Sequence, residues 1–200
     1  MNDIKNIIKK WKNSFGFHGM QYKYFISRYN KTWRNERAVE IPIVKYFLRN
    51  PYERTLEVGN VTKNYYKNNY TVIDKYEKGP EVNNMDILDY NQKEKYEKII
   101  AISTLEHVGK DIEKPELAID AIKHLKTLLA YSGEMLITIP AGFNTPLEES
   151  LFNLGMEVYG LVEENGIWHE CDPKKLNGIT YNFAGNTATG LYILIFKKKL

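Results

Sequence analysis

Four short apolar runs constrain the fold of this chain more than any other feature. TLEV (55 to 58), YTVID (70 to 74), KIIAIS (98 to 103) and EMLITIP (134 to 140) are β-branched or continuously apolar, without the alternation of a half-solvated strand. Strands covered on both faces read this way, and they belong to mostly parallel sheets with helices on each side. Between the last two runs lies a helical pattern. Pro115 suits its first turn, Leu117, Ala118, Ala121, Ile122, Leu125, Leu128 and Leu129 form one stripe, and Gly133 is expected to end it. Strand, helix and strand in that order make a crossover unit. A further helix is expected from Thr145, with its hydroxyl as cap, Pro146 in the first turn, Glu148 answering three residues later and Gly155 as terminator.

The C-terminal part changes character. Asn165-Gly166 between two strand-like runs is the signal for a tight hairpin, and GLYILIF makes a final strand before Lys197, Lys198 and Lys199 end it in water. At the other end, Asp3 suits the cap of a helix in which Ile4, Ile7, Ile8 and Trp11 share one face and Lys5, Lys9, Lys10 and Lys12 lie mostly on the other. That apolar face is expected to pack against the protein rather than to meet a membrane. The polar and aromatic stretch from Ser14 to Arg37, with Gly16 and Gly19 breaking any early regularity, gives no readable element. A helix returns with Val39, Ile43, Tyr46 and Phe47 on one face, kinked or restarted at Pro42 and closed by Pro51.

Composition bounds the partners. Two hundred residues, 43% hydrophobic, suffice for a full core within the usual length of one domain, so residues 1–50 read as an N-terminal helical cap and 51–200 as the α/β core of a single domain. With 28 basic and 25 acidic residues, the net charge of +3 is too balanced to indicate a nucleic-acid partner. The lone Cys171 forms no internal disulfide, and no apolar run has the length of a membrane span or the form of a signal peptide. A cytoplasmic protein without a membrane partner is expected.

The chemistry is expected at the strand ends. In open α/β sheets, ligands bind beyond the carboxyl ends of the strands, where strand order reverses. Gly59 marks the end of the first strand, and the second ends in Asp74, a carboxylate able to accept from both hydroxyls of a ribose. A dinucleotide site has several glycines that let backbone amides approach a pyrophosphate, whereas GNVTKNYY offers one followed by bulky residues. A cofactor without phosphates fits that loop better.

These segments, in this order, resemble the class I S-adenosylmethionine-dependent methyltransferases from about Arg54 to Pro140, and the last strand agrees by pattern. LEVGN resembles the family's acid-x-Gly-x-Gly segment, Glu57 and Gly59 included, with Val61 in place of the second glycine. YTVID is similar to the strand ending in the ribose-binding acid, here Asp74 with Lys75 after it. NNMDILDY resembles the segment whose acid-apolar pair, here Asp86 and Ile87, meets the adenine. KIIAISTLEHVG is similar to the fourth-strand motif, whose end at Ser103 faces the methyl-bearing sulfonium and is followed by Glu106 and His107. The resemblance implies a Rossmann-like fold, S-adenosyl-L-methionine as cofactor, and a small-molecule or sugar/glycan-type acceptor. It also implies that Glu57, Gly59, Asp74, Lys75, Asp86, Ile87 and Ser103 form the cofactor site, with Glu106 and His107 as candidates for orienting or deprotonating the acceptor.

Each residue has a plainer alternative. Gly59 also suits an ordinary turn, Asp74 a solvated strand end, Asp86 an Asx turn, Glu106 an early helix position and His107 a packed histidine. His169 and Cys171 alternate onto one strand face, but no second ligand pair at metal spacing accompanies them, and no metal is expected. NERAVEIPIVKYFL resembles an R-x-x-E-x-P run that precedes the first motif in small methyltransferases of sugar pathways. Arg37 and Glu40 there either border an acceptor pocket with the hairpin around Trp168 or form a surface ion pair. A Rossmann-type NAD or nucleotide-sugar enzyme and a noncatalytic S-adenosylmethionine-binding protein remain the alternatives.

Overall fold

The computed structural model describes residues 2–50 and 54–199; the expected helix stop at Pro51 lies outside them. The chain begins with α1 (Asn2–Lys12), the hairpin strands β1 (Ser14–Phe17) and β2 (Met20–Lys23), and α2 (Arg37–Phe47). Next come β3 (Thr55–Val58), β4 (Thr71–Ile73), β5 (Val82–Asn83), β6 (Tyr96–Ile102), α3 (Leu117–Leu128) and β7 (Leu129–Pro140). It ends with α4 (Thr145–Ser150), β8 (Glu157–Glu164), β9 (Ile167–Cys171) and β10 (Gly190–Lys197). These residues fall into two compact units. One comprises the chain up to Arg49 with Pro140–Phe143 and Val158–Ile193; the other comprises Asn50–Ile139, Asn144–Glu157 and the chain from Leu194.

The second unit is the α/β layer. Its strands lie in the order β5-β4-β3-β6-β7, all parallel, with Val58 opposite both Ile73 and Ala101. The end of β10 follows antiparallel, Lys198 N donating to Gly133 O and Ser132 N to Lys198 O. This is the mostly parallel sheet that the apolar runs imply, in the Rossmann-like form that the resemblance implies, and its order reverses between β3 and β6. Helix α3 buries Ala118, Ala121, Ile122, Leu125 and Leu128 completely, each large side chain contributing about 1.5–3 kcal/mol by leaving water. Gly133 does not end that helix. The chain turns extended at Leu129 and Gly133 lies inside β7, where a Cβ would meet two backbone oxygens at 2.9 Å. The cap of α4 is also one residue earlier than expected: Asn144 Oδ1 accepts from Leu147 N, and Glu148 Oε1 accepts from Asn144 N.

The first unit contains the element least visible in the sequence. Ser14–Lys23 is a β-hairpin, with His18 and Gly19 at positive φ in its turn and Phe15 and Phe17 in the core. In α2, Pro42 has no N–H for the carbonyl of Ala38, which accepts from Phe25 N at 2.9 Å instead, so the helix passes through the proline. Of its expected face, Val39 and Ile43 are buried but Tyr46 is exposed. The Asn165-Gly166 hairpin forms as expected, both residues at positive φ between β8 and β9.

Helix α1 faces opposite to expectation. Ile4, Ile8 and Trp11 are exposed, while Lys10 is buried, its ammonium bonded to Glu163 Oε1 at 2.8 Å and Gly166 O at 3.2 Å. Asp3 binds Arg34 and the indole of Trp33. Satisfied ion pairs, rather than the apolar stripe, choose the inner face.

Candidate functional site

The carboxyl ends of β3, β4 and β6 open onto a cavity of about 270 Å³ in the α/β unit, at the strand-order reversal. Gly59, Asp74, Lys75, Asp86, Ile87, Ser103 and His107 line it, so seven of the residues singled out in the sequence come together. Glu57 and Glu106 do not line it.

Each is placed by its strand. Gly59 follows β3 with φ 82°, and an added Cβ would lie 2.3 Å from Thr104 Oγ1, so both backbone and space require glycine. Glu57, fully buried in β3 two residues earlier, accepts from the amides of Val61 at 3.0 Å and Thr62 at 2.7 Å, and from the Thr62 hydroxyl. A carboxylate thus occupies the amides that a phosphate-binding loop would present. Asp74 ends β4. Its Oδ1 accepts from the amides of Tyr76 and Glu77, both at 2.8 Å, and Oδ2 lies 3.4 Å from Asn60 N.

Asp86 accepts from Leu88 N at 3.0 Å, which turns Ile87 into the cavity wall with 4% exposure. Lys75 Nζ lies 2.7 Å from Asp111 Oδ2 and 3.1 Å from Asp86 Oδ2, and the two carboxylates, Asp111 foremost, raise its affinity for the proton. Asp111 is correspondingly held below its ordinary value, by Lys75 first and Tyr76 second. Ser103 ends β6 at φ 40°, a left-handed conformation fixed by its N–H donating to Thr138 O and Thr138 Oγ1.

The next turn separates the two catalytic candidates. Glu106 is 1% exposed, with its carbonyl accepting from Asn144 Nδ2 at 3.0 Å. His107 is 56% exposed on the cavity wall, its Nε2 3.7 Å from Glu106 Oε1.

Thr104, Gly109 and Asp111 were not expected. Thr104 packs on Gly59, a contact without sequence signal. Gly109 has φ 81° and lines the cavity, and a glycine before the polar Lys110-Asp111 is a turn signal that marks it. Asp111 meets Lys75 only through the fold. In the first unit, Arg37 and Glu40 pair as the i,i+3 spacing suggests, but Glu40 is fully buried, so the pair is not a surface one. Trp168 is 1% exposed, its backbone N–H donating to Tyr24 Oη at 2.9 Å, so it is core rather than an acceptor platform.

No family model and no curated protein matches the chain. Among solved structures, N-methyltransferase NodS from Bradyrhizobium japonicum in complex with S-adenosyl-L-homocysteine is 16% identical, covering 78% of this chain and 83% of its own, with a TM-score of 0.46. The 1,6-didemethyltoxoflavin-N1-methyltransferase of Burkholderia thailandensis, bound to 1,6-didemethyltoxoflavin and S-adenosylhomocysteine, is 14% identical over 80% of this chain and 76% of its own, with a TM-score of 0.47. TehB from Haemophilus influenzae is 13% identical over 81% of this chain and 63% of its own, with a TM-score of 0.49. At these identities no residue's role passes from those proteins to this chain. The chemistry of the cavity rests on its own side chains.

Proposed function

We propose that this chain is an S-adenosylmethionine-dependent methyltransferase acting on a small-molecule or sugar/glycan-type acceptor. The observation that carries the reading is the cavity at the strand-order reversal, where Asp74 and Asp86 stand beside a loop whose amides are already held by Glu57. That loop suits a ligand without phosphates and opposes a dinucleotide, because a buried carboxylate stands where a pyrophosphate would be cradled. Asp74 Oδ2 is the acceptor for ribose hydroxyls, since Oδ1 already holds the turn after β4. Asp86 accepts from the adenine amino group, and Ile87 supplies a flat apolar wall. Ser103 and Gly59 offer backbone and hydroxyl oxygens toward a cation.

When bound, the cofactor supplies an electrophilic methyl group on a sulfonium. The protein's part is alignment of the acceptor and, where the acceptor is a hydroxyl, removal of its proton. His107 is the accessible group for that proton, and the buried Glu106 carboxylate orients its imidazole. Calorimetry on protein stripped of bound ligand tests the cofactor: heat with S-adenosylmethionine and S-adenosylhomocysteine but none with NADH is expected, and the reverse would sink the reading. Methyl transfer from labelled cofactor to sugars, nucleotide sugars and small amines tests the acceptor. On a hydroxyl acceptor, His107→Ala is expected to lower turnover by roughly 10²–10⁴-fold with cofactor affinity unchanged, and Glu106→Gln to lower it less.

A further inference from the structure

Helix α1 offers an interaction surface independent of the cavity. Its inner side is spoken for by Lys10 with Glu163 and by Asp3 with Arg34 and Trp33. Its outer side presents Ile4 at 65% exposure, Ile8 at 46% and Trp11 at 73%. Positions i, i+4 and i+7 lie on one face, so these three side chains make one continuous stripe. Lys5 and Lys12, both exposed, border that stripe on the same flank, and Lys9 lies behind them with its ammonium on Asn165 O. Asp3, the helix's one acid, is turned inward to Arg34.

We propose that α1 is a docking element for an anionic lipid bilayer. Ile4, Ile8 and Trp11 enter the boundary between headgroups and acyl chains while Lys5 and Lys12 meet the headgroup anions. Two observations choose a bilayer over a second protein. Three side chains on one convex helix are far short of the roughly 20–30 residues per side of a stable interface. An apolar stripe with an exposed tryptophan and a flank of lysines is also the form of a helix that lies in a membrane surface. No helix among the described residues is long and apolar enough to cross a membrane, and docking of this kind requires none.

The experiment is flotation of the full chain with vesicles of phosphatidylcholine and phosphatidylglycerol, beside vesicles of phosphatidylcholine alone. Binding to the anionic vesicles only is expected, lost in about 0.5 M salt, where the Debye length falls to roughly 4 Å. Lys5→Glu/Lys12→Glu is expected to lower the partition coefficient by about 25-fold or more, each basic residue near an anionic surface being worth about fivefold. Trp11→Ser is expected to lower it at least as far as one lysine does while the melting temperature stays that of wild type, because Trp11 has little packing to lose. Absence of binding, equal binding to neutral vesicles, or variants that bind like wild type would overturn the proposal. So would a wild-type dimer that Trp11→Ser turns into a monomer without any vesicle binding, since the stripe would then belong to a second copy.

Discussion

At the scale of single residues, the cavity is built from side chains that already hold the backbone around it. Asp74 keeps Oδ1 on the turn amides of Tyr76 and Glu77, while Oδ2, the oxygen of the proposed ribose contact, has only the long 3.4 Å bond from Asn60 N. Asp74→Ala is therefore expected to weaken S-adenosylmethionine binding by about 1.5–3 kcal/mol, the scale for hydrogen bonds to a charged group. Asp74→Asn, which keeps an acceptor for the turn, should be milder; calorimetry on both variants, with their folding checked by circular dichroism, measures this. Two variants that bind like wild type would leave Asp74 a strand terminus and nothing more. Gly59→Ala combines a side chain at positive φ with a clash against Thr104, and together these should cost about 2–4 kcal/mol of stability in urea unfolding. Adding Thr104→Ala should recover the steric part and leave the backbone part, so the two substitutions should not be additive. The glycine and the acids were legible because strand ends and turns leave local marks. Glu57 was singled out for the cofactor site, but its hold on the loop was not legible, because that contact depends on a chain that curls back to place two amides on one carboxylate.

At the scale of elements, the parallel strands and the Asn165-Gly166 hairpin could be read because their signals are local: apolar runs in one case, a two-residue turn in the other. The facing of α1 could not. Its apolar stripe points outward because Lys10 finds Glu163, a carbonyl and the ring of Tyr24, partners more than 150 residues away for the first two. The hairpin Ser14–Lys23 lacked a strong turn signal and carries polar residues on β2, so its period was hidden. Helix α4 provides a test of how elements support the site. Asn144 caps it through Oδ1 and, through Nδ2, donates to Glu106 O at 3.0 Å and Pro115 O at 3.1 Å. Asn144→Ala should cost about 2–4 kcal/mol, a lost cap plus two carbonyls left without that donor. Asn144→Asp keeps the cap acceptor and loses both donated bonds. It should remain near the alanine variant in urea unfolding, whereas recovery to wild-type stability would mean that the cap alone mattered.

At the scale of the whole molecule, the division into two units follows from contacts between distant segments, which no periodicity records. Glu36 is one such link. It stands at the start of α2, is 5% exposed, and accepts from the amide of Ala188 at 3.1 Å across 152 positions of sequence. Burial first, and the charge of Glu40 second, push its carboxyl from an ordinary 4.5 up to about 7. The folded chain therefore binds this proton more tightly than the unfolded chain, and the consequence for stability has a definite sign. Below about pH 4.5 both states carry the proton and the folded state has its full advantage; from there to about pH 7 the unfolded chain gives up the proton first, so stability falls as pH rises, and above about pH 7 the loss is complete. Glu36→Gln keeps an acceptor for Ala188 N and removes the titration. The difference in unfolding free energy between Glu36→Gln and wild type, measured in urea at a series of pH values, should therefore move in favour of the variant between about pH 4.5 and 7 and then level off. A difference that stays flat across that window would mean that Glu36 is ionised in the folded chain throughout, with Arg37 rather than a proton balancing the buried charges of Glu36 and Glu40.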